Sequence, residues 1–185
     1  MKNRTLWIAV AVLAIVLLSG VSMYNGMVSD NEKIDNRWSQ VENQLQRRSD
    51  LIPNLVATTK AYAAQEKEIF TQVAEARSKL AGANTLGEKA QADAELGNAL
   101  SRLLVVVERY PALKSDANFR QLSDQLEGTE NRLAVARKDY NDAVRSYNTR
   151  IKRFPGNIIA GMAGFEAREY FKAAEGAQET PQVKF

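Results

Sequence analysis

The residues that most enzymes use for catalysis are scarce in this sequence. The 185-residue chain has no cysteine and no histidine, which removes thiolate nucleophiles, imidazole proton shuttles and the usual thiolate or imidazole metal ligands. The groups left for acid–base chemistry are carboxylates: Glu66 with Glu68, and Asp124 with Glu127 and Glu130. An acid–base pair needs two carboxylates in distinct environments, and solvated helix faces explain these groups better. We therefore predict no catalytic residue, cofactor or metal, and a protein that is not an enzyme.

A group of polar residues around a proline is the strongest candidate for a binding site. Its members are Gln44, Arg47, Arg48, Asp50, Pro53 and Asn54, with Glu130 and Asn131 further along the chain. An interior proline leaves one backbone carbonyl without its helical partner, and an arginine or amide side chain can satisfy it. The alternative is structural: Arg47 or Arg48 pairs with one of three carboxylates and fixes helix register. Those carboxylates are Asp50, Glu108 and Glu130. We favour the structural interpretation.

The elements that position these groups begin with a candidate membrane anchor. An uncharged, mostly apolar stretch runs from Leu6 to Tyr24, about the 20 residues that a helix needs to cross a bilayer. Trp7 and Tyr24 lie near its ends, where amphipathic rings favour the headgroup level. The predicted anchor residues are Leu6, Trp7, Ile8, Leu13, Ile15, Leu17, Leu18 and Tyr24. A cleaved signal peptide is the alternative, because Gly20-Val21-Ser22 has the small residues that a peptidase accepts.

The charges that flank the anchor bear on its orientation. Lys2 and Arg4 precede it, and Lys33 and Arg37 follow it among acidic residues. Since basic residues favour the cytoplasmic side, we expect the N-terminus inside a bacterial inner membrane and the rest of the chain outside the cytoplasm. The net charge is only +3 and the basic residues are dispersed, so we expect no nucleic-acid partner.

Beyond the anchor, apolar residues recur at alternating intervals of three and four, which predicts long helices packed side by side. The first is predicted to run from Ile34 to Leu80, with a kink at Pro53. The alternative is a fresh helix that starts after Ser49 or Asp50. Because such long helices need partners along their whole length, we also expect homo-oligomers.

Turn residues separate the remaining helices. A cluster over 82–87 precedes the second helix, which Tyr110-Pro111 ends, and the third runs from Phe119 to Phe154 before Pro155-Gly156. The predicted fold is all-α: an N-terminal transmembrane helix that continues into an antiparallel bundle of three long helices, plus a short C-terminal helical segment. The predicted divisions are an anchor at 1–24, a bundle at 25–156 and an apolar segment with a tail at 157–185.

The segment 157–165 is apolar, rich in small residues and too short to cross a bilayer. We predict that it packs on the bundle or between subunits. The alternative is a segment that dips into the membrane surface with Tyr170 and Phe171. Its candidate interface residues are Ile158, Ile159, Gly161, Met162, Gly164 and Phe165.

Upstream, the pairs Tyr140-Asn141 and Tyr147-Asn148 recur seven residues apart, and we predict that they pack in the core.

Several motifs together resemble the LemA family. They are Trp38–Val41, Gln44–Val56, Val106–Lys114, Thr129–Arg132 with Ala136-Arg137, the two Tyr-Asn pairs, Phe154–Asn157 and the terminal Val183-Lys184-Phe185. The resemblance extends from about Tyr24 to Phe185. It implies a bacterial single-pass membrane protein with a helical domain and no established enzymatic activity.

The same resemblance suggests two functions. One family member is implicated in forming membrane-bound magnetosome organelles, which suggests an oligomeric scaffold that organises or remodels the bilayer. Family members often accompany membrane metallopeptidases or TPM-domain proteins, which suggests an adaptor for an envelope protein. The expected partners are therefore the lipid bilayer, further copies of the chain and an envelope protein.

Overall fold

The computed structural model describes residues 2–172, and within that range the chain is all-α, as predicted. Its helices are α1 (Lys2–Tyr62), α2 (Lys67–Gly82), α3 (Leu86–Val107), α4 (Pro111–Ser115), α5 (Ala117–Lys152) and α6 (Gly156–Ala163). The chain divides into two compact units. The anchor unit contains residues 2–38 and 139–170, and the bundle unit contains residues 39–138 with 171–172. The predicted tail and the motif Val183-Lys184-Phe185 lie outside the described residues.

In the anchor unit, α1 pairs with the C-terminal part of α5. Arg150 Nε lies 3.1 Å from Asp30 Oδ2, and Arg37 Nη1 lies 3.2 Å from Asp139 Oδ2, so the two helices run antiparallel. The residues that this pairing buries recur at helical spacing. They are Met27 and Ile34 on α1 and Tyr140, Val144, Tyr147 and Ile151 on α5. The predicted core packing of Tyr140 and Tyr147 is confirmed.

In the bundle unit, parts of α1 and α5 pack with α2, α3 and α4 around an aliphatic core. The fully or almost fully buried side chains include Val41, Ile52, Leu55, Val73, Leu96, Leu103, Leu113 and Leu133. Each such side chain contributes about 1.5 to 3 kcal/mol through burial. Helices α2 and α3 form an antiparallel hairpin, because Lys79 bonds to Glu95 near the turn and Gln72 bonds to Arg102 further from it.

The prediction of one helix from Ile34 to Leu80 is wrong, because α1 ends at Tyr62 and α2 begins at Lys67. The turn between them contains neither glycine nor proline. Side chains from the α3–α4 connection hold it: Tyr110 Oη accepts from Gln65 at 2.6 Å, and Arg109 pairs with Glu66 at 2.9 Å. Apolar spacing continues across the turn, so periodicity gave no sign of it.

Pro53 lies inside α1, and the alternative of a fresh helix starting there is excluded by the uninterrupted helix. A proline at this position removes the helical hydrogen bond to the carbonyl four residues earlier, which belongs to Ser49. That carbonyl accepts a hydrogen bond from Arg77 Nε at 3.0 Å. The arginine that satisfies the free carbonyl thus comes from α2.

The other two predicted long helices are present as α3 and α5, and they end at the predicted turn regions, whereas the short α4 and the end of α6 at Gly164 were not predicted. Thr85 begins α3 with a capping box, in which its hydroxyl accepts from the Glu88 N–H and the Glu88 carboxylate accepts from the Thr85 N–H. These bonds lower the pKa of Glu88, mainly through the backbone N–H groups of Asn84 and Thr85. Pro111 opens α4, and Gly164 ends α6 in the left-handed conformation, with φ of 73°.

Candidate functional site

A ring of four charged residues lies inside the bundle unit. Arg48 Nη1 lies 2.6 Å from Asp93 Oδ1 and 3.0 Å from Glu130 Oε2. Arg137 donates to the other Asp93 oxygen, and its Nη1 lies 4.0 Å from Glu130 Oε1. The side chains of Arg48 and Asp93 are only 8% and 4% exposed. Two arginines and two carboxylates therefore alternate with no net charge, and we call this group the ion ring.

Burial and the neighbouring arginines shift the pKa of Asp93 in opposite directions. Removal from water raises the pKa of Asp93 and is the larger influence, while Arg48 and Arg137 oppose it. A buried charge that loses its partner costs several kcal/mol, so each member of the ring depends on the others. The ring joins α1, α3 and α5, and its geometry can fix their register.

Sequence reasoning found half of the ion ring. The predicted pairing of Arg48 with Glu130 is present, whereas Asp93 and Arg137 were missing from the predicted site. A signal for Asp93 existed in the apolar stripe of α3. That stripe includes Leu96 and Leu100, and one step of three residues back reaches Asp93, so a carboxylate occupies an apolar position.

The other residues of the predicted polar cluster do not join the ring. Gln44 accepts from Arg132 Nε at 3.4 Å, and Asp50 accepts from Gln46 at 2.8 Å. The exposed members are Arg47, Asp50, Pro53, Asn54 and Asn131. Arg47 lines a separate groove of about 560 Å³ together with Arg120 and Arg132.

In the anchor unit, side chains of α5 hold the segment that follows α6. The Asn148 amide both donates to the Arg168 carbonyl and accepts from the Arg168 N–H, each at 2.9 Å. Tyr140 Oη donates to the Glu169 carbonyl at 2.9 Å, and burial raises the pKa of Tyr140. The Arg168 guanidinium bonds to Asn31 at 3.2 Å and to Asp35. Segment 165–170 is thereby fastened to both α1 and α5.

The predicted interface residues belong to or follow α6 and divide by exposure. Phe165 is half-buried, with its ring centroid 5.6 Å from Tyr24 and 6.5 Å from Tyr147. Ile159 is also half-buried, whereas Ile158, Gly161, Met162 and Gly164 are exposed. Phe165 therefore makes an intramolecular contact, and the exposed apolar surface lies on Ile158 and Met162.

The predicted anchor residues are exposed in the isolated chain. Helix α1 contains a stretch long and apolar enough to cross a membrane, and none of it is buried within the protein. The exposed side chains include all the predicted anchor residues: Leu6, Trp7, Ile8, Leu13, Ile15, Leu17, Leu18 and Tyr24. Between residues 2 and 172, no group of three or more Asp or Glu side chains has the arrangement of a metal site.

An exposed apolar helix joined to an ion-paired helical bundle defines the class: this is a membrane-associated, all-α protein. The sequence profile of the LemA family matches residues 37–185, most of the chain. The chain therefore belongs to the LemA family, as its motifs indicated.

The chain is similar to three named bacterial proteins. It is 33% identical to magnetosome protein MamQ 2 of Paramagnetospirillum magneticum, over 94% of this chain and 74% of the relative. It is 30% identical to magnetosome protein MamQ of Magnetospirillum gryphiswaldense, over 96% and 77% respectively. Protein LemA of Metamycoplasma hominis is 22% identical, over 84% of this chain and 71% of that protein.

Proposed function

We propose that this protein is a non-enzymatic scaffold that is held in the bacterial inner membrane by one transmembrane helix, self-associates there and organises the bilayer. The observation that carries the proposal is the apolar stretch of α1, none of which is buried within the protein. A continuous surface of leucine, isoleucine and valine needs an apolar environment, and a bilayer supplies one over the length of the stretch.

The continuity of α1 supports a scaffold rather than a tethered enzyme. The helix passes from the apolar stretch to the buried Met27 and Ile34 without a glycine- or proline-rich linker. A displacement of the apolar stretch in the membrane is therefore transmitted through α1 to the packed core of the anchor unit. Relatives named as magnetosome proteins support an organising role at a membrane.

Self-association needs a surface on which copies meet. The bundle unit leaves Leu104, Val105 and Val135 exposed on α3 and α5. Burying apolar side chains of this kind between copies would contribute about 25 cal/mol for each Å² removed from water. We propose that lateral contacts use these faces, together with the anchors in the plane of the membrane.

The test is the stoichiometry of the full-length protein in lipid vesicles, measured by single-molecule photobleaching as protein density rises. We expect oligomers and altered vesicle shape in electron micrographs. Val105→Asn combined with Val135→Asn should shift the protein towards monomers. The control, Asn98→Gln with Asn131→Gln, changes exposed residues of the same helices without removing apolar surface.

Two outcomes would contradict the scaffold. One is a monomer at every density with unchanged vesicles. The other is assembly that occurs only when a membrane peptidase or another envelope protein is added, which would support the adaptor function instead.

A further inference from the structure

Helix α6 lies beside the end of the apolar stretch of α1. A Cβ built on Gly20 would lie 4.0 Å from Ile159 Cδ1. The ring of Tyr24, at the end of the stretch, packs on Phe165 just after α6. A bilayer that accommodates residues 6–24 therefore has α6 at its surface layer, where Tyr24 is expected among the headgroups.

The outward side of this region is apolar and uncovered. Phe154, Ile158 and Met162 follow one another at intervals of four residues and are 81%, 52% and 85% exposed. No charged residue occurs between Phe154 and Phe165. An eight-residue helix is too short to cross a bilayer, but an apolar face of this kind suits the boundary between headgroups and acyl chains.

A groove of about 710 Å³ adjoins α6 in the same unit. On one side it is lined by Ser22, Met23 and Met27, where the apolar stretch of α1 ends. On the other side it is lined by residues of α5 and the turn after it, including Arg145, Arg150 and Arg153. The lining contains three arginines and one carboxylate, that of Asp142, so it is electropositive.

Two glycines shape this groove. A Cβ on Gly26 would clash with the Arg150 guanidinium, which also pairs with Asp30. A Cβ on Gly156 would lie 2.5 Å from the Arg150 carbonyl oxygen and 3.1 Å from Met27 Cε. Arg150 is thus fixed against α1, whereas Arg145 is 71% exposed and, within residues 2–172, has its ion pair along its own helix, with Asp142.

We propose that the groove binds the phosphate of an anionic phospholipid, with the apolar side of α6 inserted among the acyl chains of the same leaflet. Guanidinium groups match phosphate oxygens in geometry and charge, and arginines at a membrane surface attract anionic headgroups. The methionines lie where the lipid leaves the headgroup layer. This inference rests on the membrane anchoring in the proposed function and is independent of self-association.

The depth of α6 is tested first, using the absence of cysteine from the chain. A fluorescent dye on Met162→Cys in full-length protein, reconstituted into phosphatidylcholine and phosphatidylglycerol vesicles, should be quenched by brominated acyl chains and protected from iodide. The same dye on Ser78→Cys, an exposed position on α2 of the bundle unit that lies outside the faces proposed for self-association, should respond to iodide only. Equal iodide quenching at both positions would overturn the insertion.

Headgroup binding is tested by native mass spectrometry of full-length protein released from membranes with equal amounts of the two lipids. We expect phosphatidylglycerol to be retained in preference, and Arg145→Gln with Arg153→Gln to lower that retention by on the order of tenfold. The matched control is Arg47→Gln with Arg120→Gln, which removes the same charge from the other arginine-lined groove. It should leave retention unchanged.

Three results would overturn lipid binding by this groove. They are equal retention of both lipids, an equal loss in both double variants, and displacement of the lipid by excess inorganic phosphate. The last result would mean that the groove binds a free anion. A monomeric protein that still retained phosphatidylglycerol would contradict the scaffold alone, so the two proposals fail separately.

Discussion

In the bundle unit, Arg48 and Arg137 are enclosed with two carboxylates, whereas in the anchor unit Arg145 and Arg153 border a groove that is open to solvent. The enclosed arginines have their charge balanced by the protein itself. The groove arginines outnumber the carboxylates near them. Arginine side chains thus hold helices in register in one unit, whereas in the other unit they remain available to an external anion.

The largest effect should follow from Asp93→Asn, which breaks the ion ring and leaves Arg48 and Arg137 with Glu130 alone. We expect the free energy of unfolding to fall by about 3 kcal/mol, because the buried Arg48 loses the more buried of its two carboxylate partners. Urea titration of the full-length protein in detergent, followed by circular dichroism, measures it. The control is Glu95→Gln, which lies on α3 like Asp93 and breaks an exposed pair with Lys79 of α2. It should lower the free energy of unfolding by less than about 1 kcal/mol. Equal losses would contradict an energetic role for the ring.

A smaller loss should follow in the anchor unit from Asn148→Ala. The variant removes two hydrogen bonds to the Arg168 backbone, and we expect a loss of about 2 kcal/mol. Hydrogen exchange should rise selectively in 165–170, since that segment loses its attachment. Asn131→Ala, at an exposed position, is the control. Unchanged exchange in 165–170 would show that Asn148 does not hold it.

A still smaller effect is expected on the pH dependence of stability at Asp116, which lies between α4 and α5. The Phe119 N–H and the Tyr62 hydroxyl bond to Asp116 and hold the pKa of its carboxyl below the usual value. A lowered pKa stabilises the fold above the unfolded-state pKa near 4 and loses that contribution as pH falls through the folded value. Asp116→Asn should therefore lower the melting temperature at pH 7 more than at pH 3. A difference that is equal at both pH values would contradict this account.

The smallest effect on stability should come from Arg145→Gln with Arg153→Gln. Both arginines are exposed, so we expect the free energy of unfolding to stay within about 0.5 kcal/mol of the original. The urea titration used for Asp93→Asn provides the comparison. A loss as large as that of the ion ring would show that the groove arginines hold the fold together, and would remove the distinction between the two regions.

Helix content and most helix ends were predictable, because they depend on local chemistry. Apolar spacing marks the helices, and the turn residues over 82–87, at Tyr110-Pro111 and at Pro155-Gly156 mark the ends of the longer ones. The turn after Tyr62 was not predictable. It is held by Arg109 and Tyr110, more than 40 residues away, and carries no local breaker.

The candidate site was predictable only where the sequence placed an anomaly in a pattern. Pro53 pointed to a free carbonyl but not to Arg77 as its donor. The motif residues pointed to Arg48 and Glu130, and the apolar stripe of α3 carried an overlooked signal for Asp93, while the groove arginines emerged only from the way the helices pack. Contacts between distant positions depend on which faces meet, and a single helical period does not specify that.

Helix α6 is tied at both ends: Gly156 packs tightly on Arg150 and Met27, and residues 165–170 are bonded to α1 and α5. A helix closed into such a loop cannot rise or sink freely. The distance between the start of the apolar stretch and the Met162 side chain is consequently set by the polypeptide. A leaflet of a different thickness must adjust its own lipids to fit, at a cost of fractions of a kcal/mol for each Å of mismatch.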